Sequence, residues 1–329
     1  MQRGLASGYH NPRTAIGPSS RLEEGRSAGV FVARSGETAV NEFLQHLANA
    51  VLLGGTYALI GVGLTLIFGI MKLVNFAHGE FYTFGAYMMF LFVALLKVDF
   101  FVALVLAVGL GILLGGALEL ALLRPLRGAD IDTTMIVLIG AWIIMQNVEL
   151  LVWGGVGQSI PNPFPERALT IGPVAVSWLR IFVFVVAAVL IIGSRYLIHH
   201  TKLGKCMRAT FQDSDTAALM GVNIGAIYTA TFAFGSGLAA AAGALLGPVF
   251  IATPSMGDIA ALKAFAIVIL GGLGNFTGAA LGGFILAFVE EMGAGYVSSG
   301  YRDAMGFLLI ILVLIMRPTG LFARTDRIG

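Results

Sequence analysis

The first residues whose types and spacing could do chemistry are Lys72, Asn75, His78 and Glu80, which interrupt an apolar region. Ionisable groups inside a bilayer are costly unless they face protein or water, so they are candidates for function. Asn75 can cap the next helix, which would place Glu80 in the first turns, where the helix dipole favours negative charge. Two interpretations stay open: a tight turn at the cytoplasmic interface, or a gate or cytoplasmic contact.

The second group lies in the longest polar stretch between apolar segments, residues 199–223. Asp213 or one of the next two residues can cap a short helix that runs through Ala217 and Ala218. Gly221 is a typical C-terminal stop for such a helix. A short cytoplasmic helix of this kind is suited to docking in a groove of a partner protein, whereas a simple solvated loop would not need it.

A third group consists of polar residues inside otherwise apolar segments. Such side chains can line a transport pathway or a gate, but hydrogen bonds between helices would place them inside equally well. The candidates are Thr56, Tyr57, Thr65, Asn75, His78, Glu80, Gln146, Asn147, Ser236 and Asn275.

Catalytic motifs are missing from the sequence. It contains neither a G-x-x-x-x-G-K-[ST] phosphate loop nor an H-E-x-x-H zinc motif, so the chain itself is not expected to hydrolyse ATP. Five histidines and the single Cys206 form no cluster with metal-ligand spacing. We therefore expect no catalytic residue, no metal and no cofactor bound by this chain.

Composition identifies the kind of protein that must position these residues. Hydrophobic residues make up 57% of the 329 residues and charged residues 12%, about half of the roughly 25% that is usual in soluble domains. The sequence therefore predicts a polytopic membrane protein. The net charge of +2 is too small to indicate nucleic-acid binding.

Apolar stretches follow one another from about residue 45. The sequence predicts an all-α, polytopic transmembrane bundle of about 8–9 spans. The stretch 258–273 is short and ends in a glycine-rich segment, so it could cross fully or form a re-entrant half-helix. The predicted spans are 45–70, 74–96, 99–122, 131–153, 178–198, 226–251, 258–273, 276–292 and 303–317.

Basic residues orient the spans, because Lys and Arg are enriched in short cytoplasmic loops. Basic clusters at 124–127, 202–208 and 317–327 can all lie in the cytoplasm if 258–273 crosses fully. Loop 154–177 and the acidic pair Glu290–Glu291 then lie outside. Few carboxylates are expected within the membrane, since Glu119 and Glu149 fall near predicted span ends.

Small residues recur at helical spacing in some spans. Gly235, Ala239, Gly243 and Gly247 follow one another every four residues. This spacing makes a flat stripe that another helix backbone can approach closely. The stripe is explained by ordinary bundle packing or by helices that slide or tilt during a transport cycle.

Three sequence blocks together resemble the branched-chain amino acid ABC permease family. They are N-F-A-H-G-E-F-Y-T-F-G-A-Y-M at 75–88, G-K-C-M-R-A-T-F-Q-D-S-D-T-A-A-L-M-G-V-N at 204–223 and A-I-V-I-L-G-G-L-G-N-F-T-G-A-A-L-G-G at 266–283. The resemblance covers about residues 40–322. It implies a permease domain at 41–322, a C-terminal cytoplasmic tail at 323–329, and a bacterial cytoplasmic (inner) membrane location.

The same resemblance implies partners. In that family a second homologous permease, two ATP-binding subunits and an external solute-binding protein complete the importer, and ATP and Mg²⁺ lie on the ATPase subunits. Segment 199–223 would then be the loop that couples the permease to the ATPases. The coupling residues would be Gly204, Lys205, Arg208, Asp213, Ala217, Ala218 and Gly221.

Residues 1–40 read as a disordered tail, of which 1–39 have no counterpart in the family. This segment is also a candidate for not being translated, with a start at Val40, an expectation that intact mass of the native protein would test.

Two alternatives to an amino acid importer remain open. Close relatives in the family carry urea or short amides. A secondary transporter driven by an ion gradient would fit the glycine-rich segments, although few carboxylates are expected in the membrane. A passive channel and an integral-membrane enzyme are disfavoured.

Overall fold

The computed structural model describes residues 20–322, with side chains from residue 39 onward. Its architecture is a helical bundle, with one short antiparallel hairpin of β1 Leu169–Ile171 and β2 Val174–Val176. The helices are α1 Ser20–Met71, α2 His78–Met89, α3 Phe100–Leu118, α4 Ile131–Trp153, α5 Trp178–His200, α6 Lys202–Gln212, α7 Ser214–Leu219, α8 Ile224–Leu246, α9 Met256–Gly271, α10 Phe276–Tyr296 and α11 Arg302–Met316. A π-helix continues α2 over Phe90–Leu95, another continues α3 over Glu119–Leu123, and 3₁₀ turns lie at Arg124–Leu126 and Ser299–Tyr301.

Local sequence explains where several helices begin and end. Asp99 accepts hydrogen bonds from the N–H groups of Phe101 and Val102 and caps α3. Asn223 and Asn275 cap α8 and α10 in the same way. Gly154 follows α4 with φ +75°, a conformation that glycine adopts without strain.

The predicted spans match helices, but the predicted number of spans is not confirmed. Seven helices within the described part of the chain are long and apolar enough to cross a membrane. The other two predicted spans correspond to α2 and α9, whose α-helical parts have 12 and 16 residues. Both are shorter than the ~20 residues that a full crossing needs.

The centre of the bundle is formed by α2 and α8, whose backbones lie against each other. A Cβ atom on Gly85 would overlap the carbonyl oxygen of Ala240, and one on Gly243 would overlap that of Tyr82. The glycine stripe of α8 is therefore a packing surface, as the first of the two interpretations predicted. Helices α3, α4, α5 and α11 expose long apolar side chains, which suits contact with lipid.

Contacts between loops support the predicted orientation. At one end, Arg127 donates to the carbonyl oxygen of Gly225, and the Phe211 ring lies against Gly69 and Gly274. Asn275 donates to the Phe322 carbonyl at this end. The three segments predicted to be cytoplasmic therefore lie at the same end of the bundle, the last of them being described up to residue 322.

The opposite end brings together the segments predicted to lie outside. Gln45 pairs with the backbone of Ala175, and Gln158 bridges to Ala252. Glu291 binds Arg302 at 2.5 Å and lies 3.6 Å from His46, the neighbour of Gln45, so this acidic residue lies at the same end.

The N-terminal tail prediction is only partly within the described residues. Residues 1–19 and 323–329 lie outside them, and Ser20–Val40 form the N-terminal part of α1. The boundary drawn at residue 40 therefore does not coincide with the start of a helix. The compact unit that contains the bundle begins at Gln45.

Candidate functional site

The polar segment after α1 leads into the interior of the bundle. Lys72 is exposed with φ +54°, whereas Asn75, His78 and Glu80 are fully buried. His78 Nε2 lies 3.1 Å from the carbonyl oxygen of Ile60, halfway along the apolar part of α1. Helix α2 therefore begins deep within the bundle. The interpretation as a tight turn at an interface fits the exposed Lys72, but it does not fit the buried His78 and Glu80.

The capping role predicted for Asn75 is wrong in detail. The N-cap of α2 is Ala77, whose side chain cannot accept a hydrogen bond. Asn75 Oδ1 instead accepts from the Ala77 N–H at 3.1 Å and so shapes the turn before the helix. Glu80 does lie in the first turn of α2, as predicted.

Helix α9 begins beside α2, so two helix starts meet inside the bundle. A Cβ atom on Gly257 would lie 2.8 Å from Glu80 Oε1 and 2.8 Å from the Gly79 carbonyl oxygen. Asp258, in the first turn of α9, accepts hydrogen bonds from Trp142 Nε1 at 3.0 Å and Gln146 Nε2 at 2.9 Å. Gln146, a predicted pathway residue, thus lies beside the two helix starts.

A second carboxyl group faces Glu80 from α4. The carboxyl group of Glu149 lies within hydrogen-bonding reach of that of Glu80, and both side chains are buried. The expectation that Glu149 lies near a span end is correct in sequence but wrong in environment, because the residue faces the interior. We call Glu80, Glu149 and Asp258 the carboxyl cluster.

A separate ionic network joins α1, α9, α10 and α11. Lys263 Nζ lies 2.7 Å from Glu290 Oε2 and 2.8 Å from Asp303 Oδ1. The hydroxyl of Tyr57 donates to Glu290 Oε2 at 2.8 Å and lies 2.5 Å from Lys263 Nζ. Tyr57 therefore holds an ion pair between helices. This is the alternative to a pathway role that the sequence left open, in which polar side chains form hydrogen bonds between helices.

The remaining polar candidates do not gather at one site. Thr56, Thr65 and Ser236 are buried, but Thr56 bonds to its own helix at the Leu53 carbonyl. Asn147 is exposed on α4 and donates to the Ile143 carbonyl. Asn275 caps α10 at the end of the bundle where the basic segments meet.

The predicted short helix is α7, and its predicted cap and stop are confirmed, whereas its docking role stays a prediction. Asp213 accepts from the N–H groups of Asp215 and Thr216 at 2.9 and 3.0 Å and from the Thr216 hydroxyl at 2.7 Å. These hydrogen bonds, led by that of the Thr216 hydroxyl, hold the pKa of the Asp213 carboxyl below its usual value. Gly221 ends the motif with φ +84°.

Helix α6 precedes α7 and positions it. Gly204 is buried where a Cβ atom would overlap the carbonyl oxygens of Leu197 and Ile198. Arg208 donates to the Ile198 carbonyl at the end of α5, which favours a cation there. Lys205 and Ala218 are exposed, whereas Ala217 is buried.

Sequence reasoning missed Lys263, Asp258 and the burial of Glu149. A lysine within an apolar stretch is itself a signal of a paired or functional group, and 258–273 contains Lys263. The expectation of few charges within the membrane is therefore wrong. The charged residues that are buried are Glu80, Glu119, Glu149, Lys263, Glu290 and Glu291.

Comparison with known proteins gives consistent matches over most of the chain. Residues 46–315 match the family model described as branched-chain amino acid transport system / permease component. The chain is 35% identical over 300 residues to the high-affinity branched-chain amino acid transport system permease protein BraD of Pseudomonas aeruginosa, covering 87% of this chain and 98% of the relative.

Two further relatives show the range of the similarity. Identity to the corresponding permease protein LivH of Escherichia coli is 34% over 298 residues, covering 86% of this chain and 96% of the relative. Identity to the ribose import permease protein RbsC of Escherichia coli is 25%, over 67% of this chain and 70% of the relative. No solved structure matches the chain significantly.

Proposed function

Because the chain belongs to the branched-chain amino acid transport system permease family, we propose that it is the membrane subunit of an ATP-driven importer of branched-chain or other small amino acids. The relatives that are 34–35% identical are named for branched-chain amino acid transport. The seven apolar helices place the chain in a membrane, which for a permease of this family is the bacterial inner membrane.

The proposal includes partners that supply energy and selection. Two ATP-binding subunits would hold ATP and Mg²⁺, a second homologous permease would complete the pathway as a heterodimer, and an external solute-binding protein would deliver substrate. The proposal also includes nine crossings of the membrane. Seven are the long apolar helices, and the other two are α2 with its π-helical extension and α9 with its flanking segments. Nine crossings agree with the meeting of the basic segments at one end.

The observation that carries the proposal is the surface of α7. Its C-terminal end presents Leu219 and Met220 to solvent, 88% and 81% exposed, at the end of the bundle where the basic loops meet. Two large apolar side chains on a compact, capped cytoplasmic helix are unfavourable in water and are typical of a docking contact. The Asp213 cap and the α6 contacts with α5 hold them in place.

We expect Leu219→Asp to weaken binding of the ATP-binding subunits by about tenfold or more, because a charge replaces a central apolar contact. The measurement is the amount of ATPase subunit that co-purifies with the tagged chain in mild detergent. Val156→Asp is the matched control, since Val156 is 75% exposed in a loop at the opposite end. Equal recovery of ATPase subunits with both variants would contradict docking through α7.

Removal of the α7 cap should affect coupling rather than insertion. Asp213→Ala removes three hydrogen bonds at the start of α7, so we expect substrate-stimulated ATP hydrolysis to fall while the chain still inserts. Because the folded pKa of Asp213 is lowered, the cap stabilises α7 above the unfolded pKa and is lost as pH falls through the folded pKa. Stimulation in the wild type should therefore decline in acid, and a D213A variant with unchanged stimulation at neutral pH would refute the coupling role.

One observation favours a second candidate function. The carboxyl cluster lies within the bundle, as proton or cation sites of gradient-driven transporters do. A secondary transporter would take up substrate without ATP-binding subunits. Uptake by proteoliposomes that contain this chain alone separates the two functions.

A further inference from the structure

The side chains of Glu80 and Glu149 combine deep burial with unused hydrogen-bonding capacity. Glu80 is 0% exposed and Glu149 5% exposed. Among the described residues, none of their four carboxyl oxygens accepts a hydrogen bond of normal geometry; the groups within reach are the other carboxyl group of the pair and the Trp142 N–H, which donates to Asp258. Buried carboxylates are nearly always paired or hydrogen-bonded, so such an arrangement needs an explanation.

The neighbouring charges do not compensate the pair. Asp258 adds a third carboxyl group from α9 and is itself satisfied by Trp142 and Gln146. The nearest cation on α9, Lys263, is bound by Glu290 and Asp303. The three carboxyl groups of the cluster therefore face one another from α2, α4 and α9. Within the described residues, no cation forms an ion pair with them.

Helix dipoles explain only part of the cluster. Glu80 and Asp258 lie in the first turns of α2 and α9, where a negative charge is favourable. Glu149 lies near the C-terminal end of α4, where the dipole disfavours it. Packing does not require a carboxyl group there either, since an apolar side chain could face Glu80 at lower cost.

A hydroxyl group at the same place is also unused. Tyr87 is fully buried, and its hydroxyl has no hydrogen-bond partner among the described residues. It lies within electrostatic reach of the Glu149 carboxyl. The Tyr87 ring stacks on Trp153, with centroids 5.5 Å apart, which fixes its direction. The group extends from Glu80 in the first turn of α2 to Tyr87 in its last turn, with Glu149 near the C-terminal end of α4. Interrupted helices such as α2 and α9 are a usual place for a substrate site in transporters.

We propose that the Glu80–Glu149 pair, with the Tyr87 hydroxyl, receives the primary ammonium group of the transported amino acid. The proposal rests on the proposed function and specifies its substrate class. An ammonium group brings one positive charge and three donors to a site whose two carboxyl groups and Tyr87 hydroxyl can all accept. Urea or a short amide brings donors without charge, so the site favours an amino acid over those alternatives.

The other end of the same substrate would meet the positive ends of the α2 and α9 dipoles, where the N–H groups of Glu80 and Asp258 already donate to turn carbonyls. Helix N-termini bind carboxylates through backbone N–H groups and the helix dipole. The ammonium and carboxylate of a zwitterion would then be bound at one place in the bundle. In this structure the pair is closed from solvent, so binding requires an open state of the permease.

The test uses the assembled transporter in lipid nanodiscs and three probes with the same branched skeleton. L-leucine carries both charges, 3-methylbutylamine only the ammonium, and 4-methylpentanoate only the carboxylate. Binding is followed by tryptophan emission, for which Trp142 at Asp258 is the reporter, with Trp142→Phe as the background. We expect L-leucine and the amine to change the emission and 4-methylpentanoate to have a much smaller effect.

The variants Glu80→Gln and Glu149→Gln keep the side-chain shape and remove one charge each. We expect each variant to bind the amine and L-leucine about tenfold or more weakly, because each loses a charge-assisted hydrogen bond to the ammonium group. Glu166→Gln is the matched control, because Glu166 is exposed in the outer loop. Size-exclusion profiles show whether each variant is folded.

Two outcomes would overturn the proposal while leaving the importer function intact. One is unchanged amine and L-leucine affinity in both folded variants of a transporter that imports leucine. The other is an infrared band of a protonated carboxyl group that disappears in these variants while the affinity for both probes stays the same. That result would mean that the pair holds a buried proton and does not bind the ammonium group. A wild-type transporter that imports no amino acid would instead refute the proposed function.

Discussion

Gly243→Ala is expected to destabilise the bundle by about 3 kcal/mol or more, the upper range for overpacking. The added methyl group would overlap the carbonyl oxygen of Tyr82. A backbone carbonyl on a packed helix cannot move aside as a flexible side chain can, so α2 and α8 must separate. Because Gly85 meets the Ala240 carbonyl at the same crossing, separation would lose contact along both helices.

The matched control is Gly140→Ala in α4, where a Cβ atom meets nothing within 4 Å. This change should be neutral or stabilising by up to about 1 kcal/mol, because alanine favours the helix. The measurement is the thermal unfolding temperature of both variants in the same detergent. Equal unfolding temperatures for the two variants would show that α2 and α8 do not touch at Gly243.

Lys263→Met is the second change with a large expected effect. It removes the cation that faces Glu290, which is 1% exposed and bonded to Lys263 at 2.7 Å. Breaking a buried ion pair from one side costs about 3–5 kcal/mol, since the remaining charge is left uncompensated. We therefore expect little folded protein, measured as the monodisperse fraction after extraction.

The double variant Lys263→Met with Glu290→Gln separates charge from shape. Without either charge the burial penalty disappears, and Tyr57 can still bond to the glutamine at position 290. We expect the double variant to recover most of the folded fraction, as a double-mutant cycle would show. A double variant as unstable as Lys263→Met alone would mean that Lys263 acts through its contact with Asp303 or through packing.

The membrane-spanning helices are the part of the fold that the sequence predicts well. Helix Ile131–Trp153 and the predicted span 131–153 have the same bounds, because Asp130 and Gly154 flank a largely apolar run. The cap and stop of α7 were also predictable, since Asp213 and Gly221 act through their own local backbone. Local chemistry of this kind depends on residues a few positions apart.

The buried charges were not predictable in the same way. Lys263 and Glu290 are 27 positions apart, and Glu80 and Glu149 meet across two helices. Which face of a span points inward depends on how helices pack, and the flat apolar composition of α4 does not reveal it. The lysine inside 258–273 was a usable signal for an ion pair, but it does not identify the partner.

The span count is not confirmed, for a related physical reason. Hydropathy measures apolar length, and the segments 74–96 and 258–273 are apolar enough to be read as spans. The first carries the turn at Asn75 in its N-terminal part, and the second begins just after the helix start at Met256, both inside the bundle. Backbone that is not helical is tolerated there because protein surrounds it.

The most direct test of the importer function is uptake of labelled L-leucine into proteoliposomes. The vesicles contain the purified transporter with its ATP-binding subunits, ATP is enclosed inside, and the solute-binding protein is added outside. We predict accumulation that requires enclosed ATP and the ATP-binding subunits, and none in vesicles that contain this chain alone under a proton or sodium gradient. Gradient-driven uptake by the chain alone, with no effect of ATP, would contradict the account and establish a secondary transporter.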